Sequence, residues 1–152
     1  MRKISLRKQT GFTLIELLVV IGILSVLLAI TLIAINPTRQ FSQANDTKRR
    51  SDVSTILNAI SQYQVDNQGA LPTGIGTTAA AIGNGTGEVD ICLDLVDTYV
   101  AALPTDPALG TDSLTPAACA ASYATGYDVV NSGGRVTVSA PSAENGSIAV
   151  TR

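Results

Sequence analysis

The strongest constraint in this sequence is an apolar run near its start. From Phe12 to Ile35 the chain reads F-T-L-I-E-L-L-V-V-I-G-I-L-S-V-L-L-A-I-T-L-I-A-I, 24 residues in which Glu16 is the only charge. At 1.5 Å rise per residue, a helix of this length spans roughly 36 Å, enough to cross a ~30 Å hydrocarbon layer. Leu, Ile, Val and Ala occupy every face, so the run is not designed to lay one side on a soluble core. The expectation is a membrane-spanning helix over 12–35.

Glu16 lies one turn inside that run, where an unpaired charge costs about 2.5 kcal/mol or more. Two readings are open. The carboxylate tilts toward the headgroups, or a cation is brought to it. No Lys, Arg or His lies between Lys8 and Arg39, so the segment supplies none itself. A free α-amino group created by cleavage just before Phe12 would be a cation at the right depth. The first eleven residues contain Arg2, Lys3, Arg7 and Lys8 and no acid, which by the positive-inside rule keeps them cytoplasmic. A secretory signal carries its small-residue cleavage site after the apolar core. Here the small residue, Gly11, comes before it, so cutting there would leave the helix on the mature chain.

The segment G-F-T-L-I-E, with basic residues upstream and some twenty apolar residues downstream, resembles the class III signal of type IV pilins and of type II secretion pseudopilins. The resemblance implies that a prepilin peptidase cuts between Gly11 and Phe12 and methylates the Phe12 amine. It implies that Glu16 meets the Phe12 amine of a neighbouring copy as the helix leaves the lipid bilayer for a homo-oligomeric filament. It further implies an assembly platform protein and ATPase machinery in a bacterial inner membrane. The N-terminus would be cytoplasmic and the body extracytoplasmic, and the filament would end at the cell surface or in the periplasm. The implied fold is α+β: a long N-terminal α-helix, membrane-spanning in its first half and amphipathic in its second, packed on a small antiparallel β-sheet. The expected organisation is a leader (1–11), the apolar helix (12–35), the amphipathic helix (36–68) and a C-terminal region (69–152).

Beyond Ile35 two readings compete at Asn36-Pro37. Asn36 could cap a new helix with Pro37 in its first turn, or one helix continues with a kink, as the family resemblance favours. Gly22 is a second expected weak point, costing about 1 kcal/mol relative to alanine. From Thr38 to Asp66, Phe41, Ala44, Val53, Ile56, Leu57, Ile60 and Tyr63 fall at helical spacings and predict a core-facing stripe. Within it, Asp46 and Arg50 form an i,i+4 pair. Lys48, Arg49 and Arg50 read most simply as a solvated face, with lipid headgroups or adjacent subunits as alternative partners. Gly69 and Pro72 predict the stop, and D-N-x-G here resembles the major pseudopilin branch.

Residues 73–90 are rich in Gly, Thr and Ala and predict a surface loop. Residues from about Asp90 to Leu103 predict a short helix. L-P-x-D-P at Leu103–Pro107 again resembles the pseudopilin pattern. Some pseudopilins bind calcium in a C-terminal loop, which makes Asp106, Asp112 and Asp128 candidate ligands; no other cofactor is expected. Cys92 and Cys119 predict a disulfide, given an extracytoplasmic body and no odd thiol, against the alternative of two free buried thiols. From Tyr127 to Val138, alternating apolar residues around Asn131-Ser-Gly-Gly134 predict a hairpin, with a third strand near Ser147–Thr151.

Composition narrows the function. Removing the four basic leader residues from ten leaves six against twelve acids, a formal charge of −6, which argues against nucleic-acid binding. With no histidine and two cysteines, Ser/His/Asp triads and Cys/His pairs are unavailable, so no enzymatic role is expected. The leading expectation is a structural subunit of a type IV pilus or type II secretion pseudopilus. The alternatives are a minor pilin or adhesin-like module, and an anchored domain that does not polymerise.

Overall fold

A computed structural model describes residues 11–152, and the chain divides into two compact units at Arg39/Gln40. The basic leader residues Arg2, Lys3, Arg7 and Lys8 lie outside the described residues. The first unit is built on α1 (Leu14–Ile35), in which every residue is exposed. Its helix runs unbroken through Gly22, where an added Cβ would meet nothing within 4 Å. Its two hydroxyl side chains bond back to the helix: Ser25 Oγ donates to the Ile21 carbonyl at 2.7 Å and Thr31 Oγ1 to the Leu28 carbonyl at 2.9 Å.

The uninterrupted helix favoured by resemblance does not form. Asn36 adopts a left-handed conformation (φ 44°, ψ 79°), closes α1, and is followed at once by α2 (Pro37–Asp66). The cause is local. Pro37 has no N–H to give the previous turn, and its ring disfavours helical geometry at the residue before it. Asparagine tolerates the left-handed region better than most residues. The Asn36 Oδ1 then accepts the Arg39 backbone N–H at 3.4 Å, so the new-helix reading is the one the chain adopts.

The second unit is a four-stranded antiparallel sheet in the order β1 (Ala80–Gly83), β2 (Ala124–Ser132), β3 (Arg135–Ala140) and β4 (Ile148–Thr151). The expected hairpin is β2–β3, with Ser132 opposite Arg135. Gly133 and Gly134 take φ of 61° and 82°, the two left-handed residues that a tight primed turn demands. Alternation along β2 and β3 buries Tyr127, Val129, Val136, Val138 and Ala140. They form one core with Val53, Ile56, Leu57 and Ile60 of α2, and Tyr63 packs partly buried against it. α2 stops at Asp66, slightly before the expected 68; Gln68 as well as Gly69 is left-handed, and the Gly69 N–H donates to the Gln64 carbonyl at 2.7 Å.

Three expectations need correction. The 73–90 loop contains β1, which pairs with β2 and whose Ile82 is buried. Its Gly/Ala/Thr composition hides a strand whose stability comes from the pairing rather than from propensity. The helix expected over 90–103 is only α3 (Cys92–Leu95), because Asp97 turns left-handed (φ 78°) and Leu103 pairs instead with Leu114. Cys92 is joined to Cys119 in a second short helix, α4 (Pro116–Cys119), with the two Cα atoms 5.6 Å apart and both cysteines buried. The third correction concerns α2. Phe41 and Ala44, expected in the buried stripe, are exposed, and the buried face of this stretch is charged: Asp46, Arg49 and Asp52.

Arg49 is 1% exposed, so the solvated-face reading fails for it. Its Nε and Nη2 donate to the two carboxylate oxygens of Asp106 at 2.8 and 3.1 Å, a two-point fork. Its Nη1 reaches Asp46 at 2.8 Å and Glu144 at 3.4 Å. The acid expected to pair with Arg50 thus pairs with Arg49. Asp46 also accepts the backbone N–H groups of Glu144 and Asn145 and the Asn145 side-chain amide at 2.8 to 3.1 Å. One turn on, Asp52 accepts the Tyr127 hydroxyl at 2.8 Å. The cluster ties α2 to the L-P-x-D-P segment and to the β3–β4 loop. Opposite Asp106, Gly126 (φ 78°) leaves the necessary space: a Cβ there would lie 2.8 Å from the Asp106 Cβ.

Titration follows from these contacts. The Glu144 backbone N–H, with Asn145 and Arg49, outweighs desolvation and holds Asp46 well below the usual carboxylate range. Burial pushes Asp106 up, but Arg49 and the Ala108 N–H outweigh it and the net direction is down. Ser42 leads the groups that lower Glu144. Asp52 moves the other way, raised by burial.

Removing the guanidinium leaves buried acids without their counter-charge, so Arg49→Ala is expected to destabilise the body by about 3 kcal/mol, while Arg50→Ala stays within about 0.5 kcal/mol. Denaturant melts of the detergent-solubilised chain check this. The pH dependence follows from the sign of the shifts. Groups with depressed folded values contribute stability above their unfolded pKa, near 4, and lose it as pH falls through the folded value. Asp46, Asp106 and Glu144 act in that sense and Asp52 against it. The melting temperature is expected to drop progressively as pH falls below about 4, and Arg49→Ala to flatten that dependence.

Candidate functional site

The residues singled out for processing and assembly lie where α1 begins. Gly11, Phe12 and Thr13 are outside regular secondary structure, with Thr13 extended (φ −82°, ψ 151°). The Gly11–Phe12 bond therefore precedes the helix, in backbone not locked into helical hydrogen bonds, and Phe12 is 79% exposed. An added Cβ at Gly11 would meet nothing within 4 Å, so no packing contact among the described residues requires glycine there.

Thr13 caps the helix. Its hydroxyl accepts the Glu16 backbone N–H at 3.2 Å, and its carbonyl accepts that of Leu17 at 3.3 Å. T-x-x-E is the spacing of a capping box, a local signal in the sequence for where the helix begins. The cap places Glu16 in the first turn, where the positive end of the helix dipole favours an anion. Among the described residues Glu16 forms no ion pair, whereas each of the four that do form involves a basic residue of α2. The site thus presents an exposed carboxylate at the head of an apolar rod, five residues from a bond accessible to cleavage.

The other candidates resolve differently. Cys92 and Cys119 are bonded, and the Tyr123 hydroxyl, beside Cys92, joins the Cys92 N–H at 3.3 Å to Asp90 at 2.7 Å. The three aspartates considered for calcium do not converge. Asp106 is buried against Arg49 and also accepts the Ala108 N–H at 2.8 Å, Asp112 is exposed, and Asp128 stands in β2 opposite Ala81 of β1 and Ser139 of β3. Among the described residues no group of three Asp, Glu, His or Cys side chains is placed to hold a metal ion.

A capped apolar helix joined to an α2-on-sheet body is the α+β architecture of type IV pilins. Comparison with known proteins agrees. A family profile described as the prokaryotic N-terminal methylation motif matches residues 6–32. Over 101 residues, 66% of this chain and 69% of the relative, the chain is 35% identical to the type II secretion system core protein G of Pseudomonas aeruginosa. It is 39% identical over 61 residues to the protein of that name from Aeromonas hydrophila, covering 40% of this chain and 41% of the relative. The Vibrio cholerae counterpart is 37% identical over 62 residues, 41% of each chain. No solved structure matches significantly. The chain belongs to the type IV pilin and type II secretion pseudopilin family, whose members are structural subunits. Membership implies filament assembly and prepilin peptidase processing in general, and the apolar helix fits an inner-membrane anchor with an extracytoplasmic body.

Proposed function

We propose that this chain is a non-catalytic subunit of a type II secretion pseudopilus, stored in the inner membrane through α1 and polymerised after cleavage between Gly11 and Phe12. The observation that carries the secretion reading is the extent of the 101-residue similarity to core protein G. It is longer than everything up to Asp66, so it takes in part of the C-terminal body and not just the helix that all filament subunits of this family share. In this reading the methylated Phe12 amine of one copy neutralises Glu16 of the next. The exchange removes a lone charge from an apolar setting and so rewards association over isolated helices in lipid. Peptidase, platform protein and ATPase act on the chain from the cytoplasmic side.

Glu16→Val is expected to insert in the membrane and to yield a mature chain beginning at methylated Phe12, yet to form no filaments. N-terminal sequencing and electron microscopy read the two steps, and normal filaments from this variant would show that the charge pairing is not what drives assembly. Deleting the chromosomal copy in the native host is expected to deplete proteins from the culture supernatant, as followed by proteomics. Intact secretion together with loss of surface fibres would move the function to a pilus.

A further inference from the structure

Phe41 is 71% exposed although it is one of only two phenylalanines in the chain. It stands on the second turn of α2, where Gln40, Gln43 and Ala44 are exposed too, and the buried face of the helix begins only at Asp46. Between Glu16 and Asp46 the sequence has one charged residue, Arg39, and no acid. The opening turns of α2 therefore combine an uncovered aromatic ring with a cation that forms no ion pair among the described residues.

Covalent continuity limits where these turns can be. Ile35 ends the apolar span, and two residues of any conformation plus four of helix place Phe41 within roughly 13 Å of it, whatever direction α2 takes. That keeps the ring within reach of the headgroup layer. Phenylalanine on the apolar face of an interfacial helix sits at the boundary of headgroups and acyl chains, and a guanidinium pairs with phosphate through two parallel hydrogen bonds. The stretch itself carries no acid that an anionic membrane surface would repel; Glu144, which reaches Ser42 from the β3–β4 loop, is also bonded to Arg49.

We propose that the first turns of α2 are a lipid contact: Phe41 sits at the boundary of headgroups and acyl chains, and Arg39 holds a phosphate, in the leaflet on the body's side. The inference rests on the reading that α1 crosses the bilayer. Its consequence is a fixed depth for the stored subunit. A span without such an anchor adjusts by tilt, whereas this one is held near Ile35 and presents Glu16 at a reproducible level on the far side.

The chain contains no tryptophan, so Phe41→Trp creates a single fluorescent reporter at an exposed position, and Leu24→Trp a companion in the middle of α1. Each full-length variant is reconstituted in phosphatidylglycerol-containing vesicles at high lipid-to-protein ratio, with phospholipids brominated either high or low on the acyl chain. Leu24→Trp is expected to be quenched most by the deep bromines. Phe41→Trp is expected to emit to the blue of a water-exposed indole and to lose about half its emission or more to the shallow bromines, and less to the deep ones. Adding Arg39→Gln should reduce the shallow quenching. A water-like, unquenched Phe41→Trp beside a quenched Leu24→Trp overturns the inference and leaves the membrane reading standing. Blue-shifted emission that ignores bromine but follows protein density places a second copy on Phe41 and overturns it also, as does stronger quenching by the deep bromines. If Leu24→Trp is itself unquenched, the membrane reading fails, and the inference with it.

Discussion

The body of this protein hangs on one buried guanidinium. Arg49 projects from α2 into a site that excludes water, and a cation there is tolerable only because Asp106 meets it at two points and Asp46 at a third. Asp46 stands three residues back on the same helix, whereas Asp106 comes from a segment remote in sequence, and both are held by further remote contacts. Asp106 belongs to the turn after Leu103, its N–H donates to the Thr125 carbonyl at 2.8 Å, and the β3–β4 loop donates its amides to Asp46. The hydrophobic core fixes how α2 lies on the sheet through Val53, Ile56, Leu57 and Ile60, but apolar packing is non-directional. The ionic cluster adds direction, selecting one arrangement of two irregular connections over the many that would cover the same apolar area.

Much of the architecture is legible in the sequence, and the reasons differ from element to element. The 12–35 run could be read because uniform apolarity over such length has few other meanings. The β2–β3 hairpin could be read because alternation and a Gly-Gly turn are both local signals. β1 could not: Ala80-Ala-Ile-Gly83 has weak strand character, and its partner lies some forty residues away. The helix expected over 90–103 fails for the same reason in reverse, since nothing local announces that Leu103 pairs with Leu114. Arg49 is the sharpest case. Lys48, Arg49 and Arg50 are equivalent as a string, and only the fold decides that the middle one turns inward.

The candidate site was legible for a different reason. Gly11, Phe12 and Glu16 are understood by their place relative to the apolar run, and that place needs no tertiary structure to be read. What the structure adds is the cap: Thr13 starts the helix just after the bond proposed for cleavage, which separates an accessible peptide from a rigid rod within two residues. The family relationship joins these two halves, with the short motif matching the rod and the longer similarity reaching into the body.

Ser25 and Thr31 each spend their hydroxyl on a carbonyl of their own helix. Beyond the capped first turn, α1 therefore carries no polar side chain that still seeks a partner from outside. Against neighbouring apolar rods it could slip or swivel with little change in energy, and a single carboxylate at its head would have to act as the detent. A polymer assembled from such rods would be firmly indexed at one level and lubricated along the remainder, which is how a fibre can stretch and twist without coming apart.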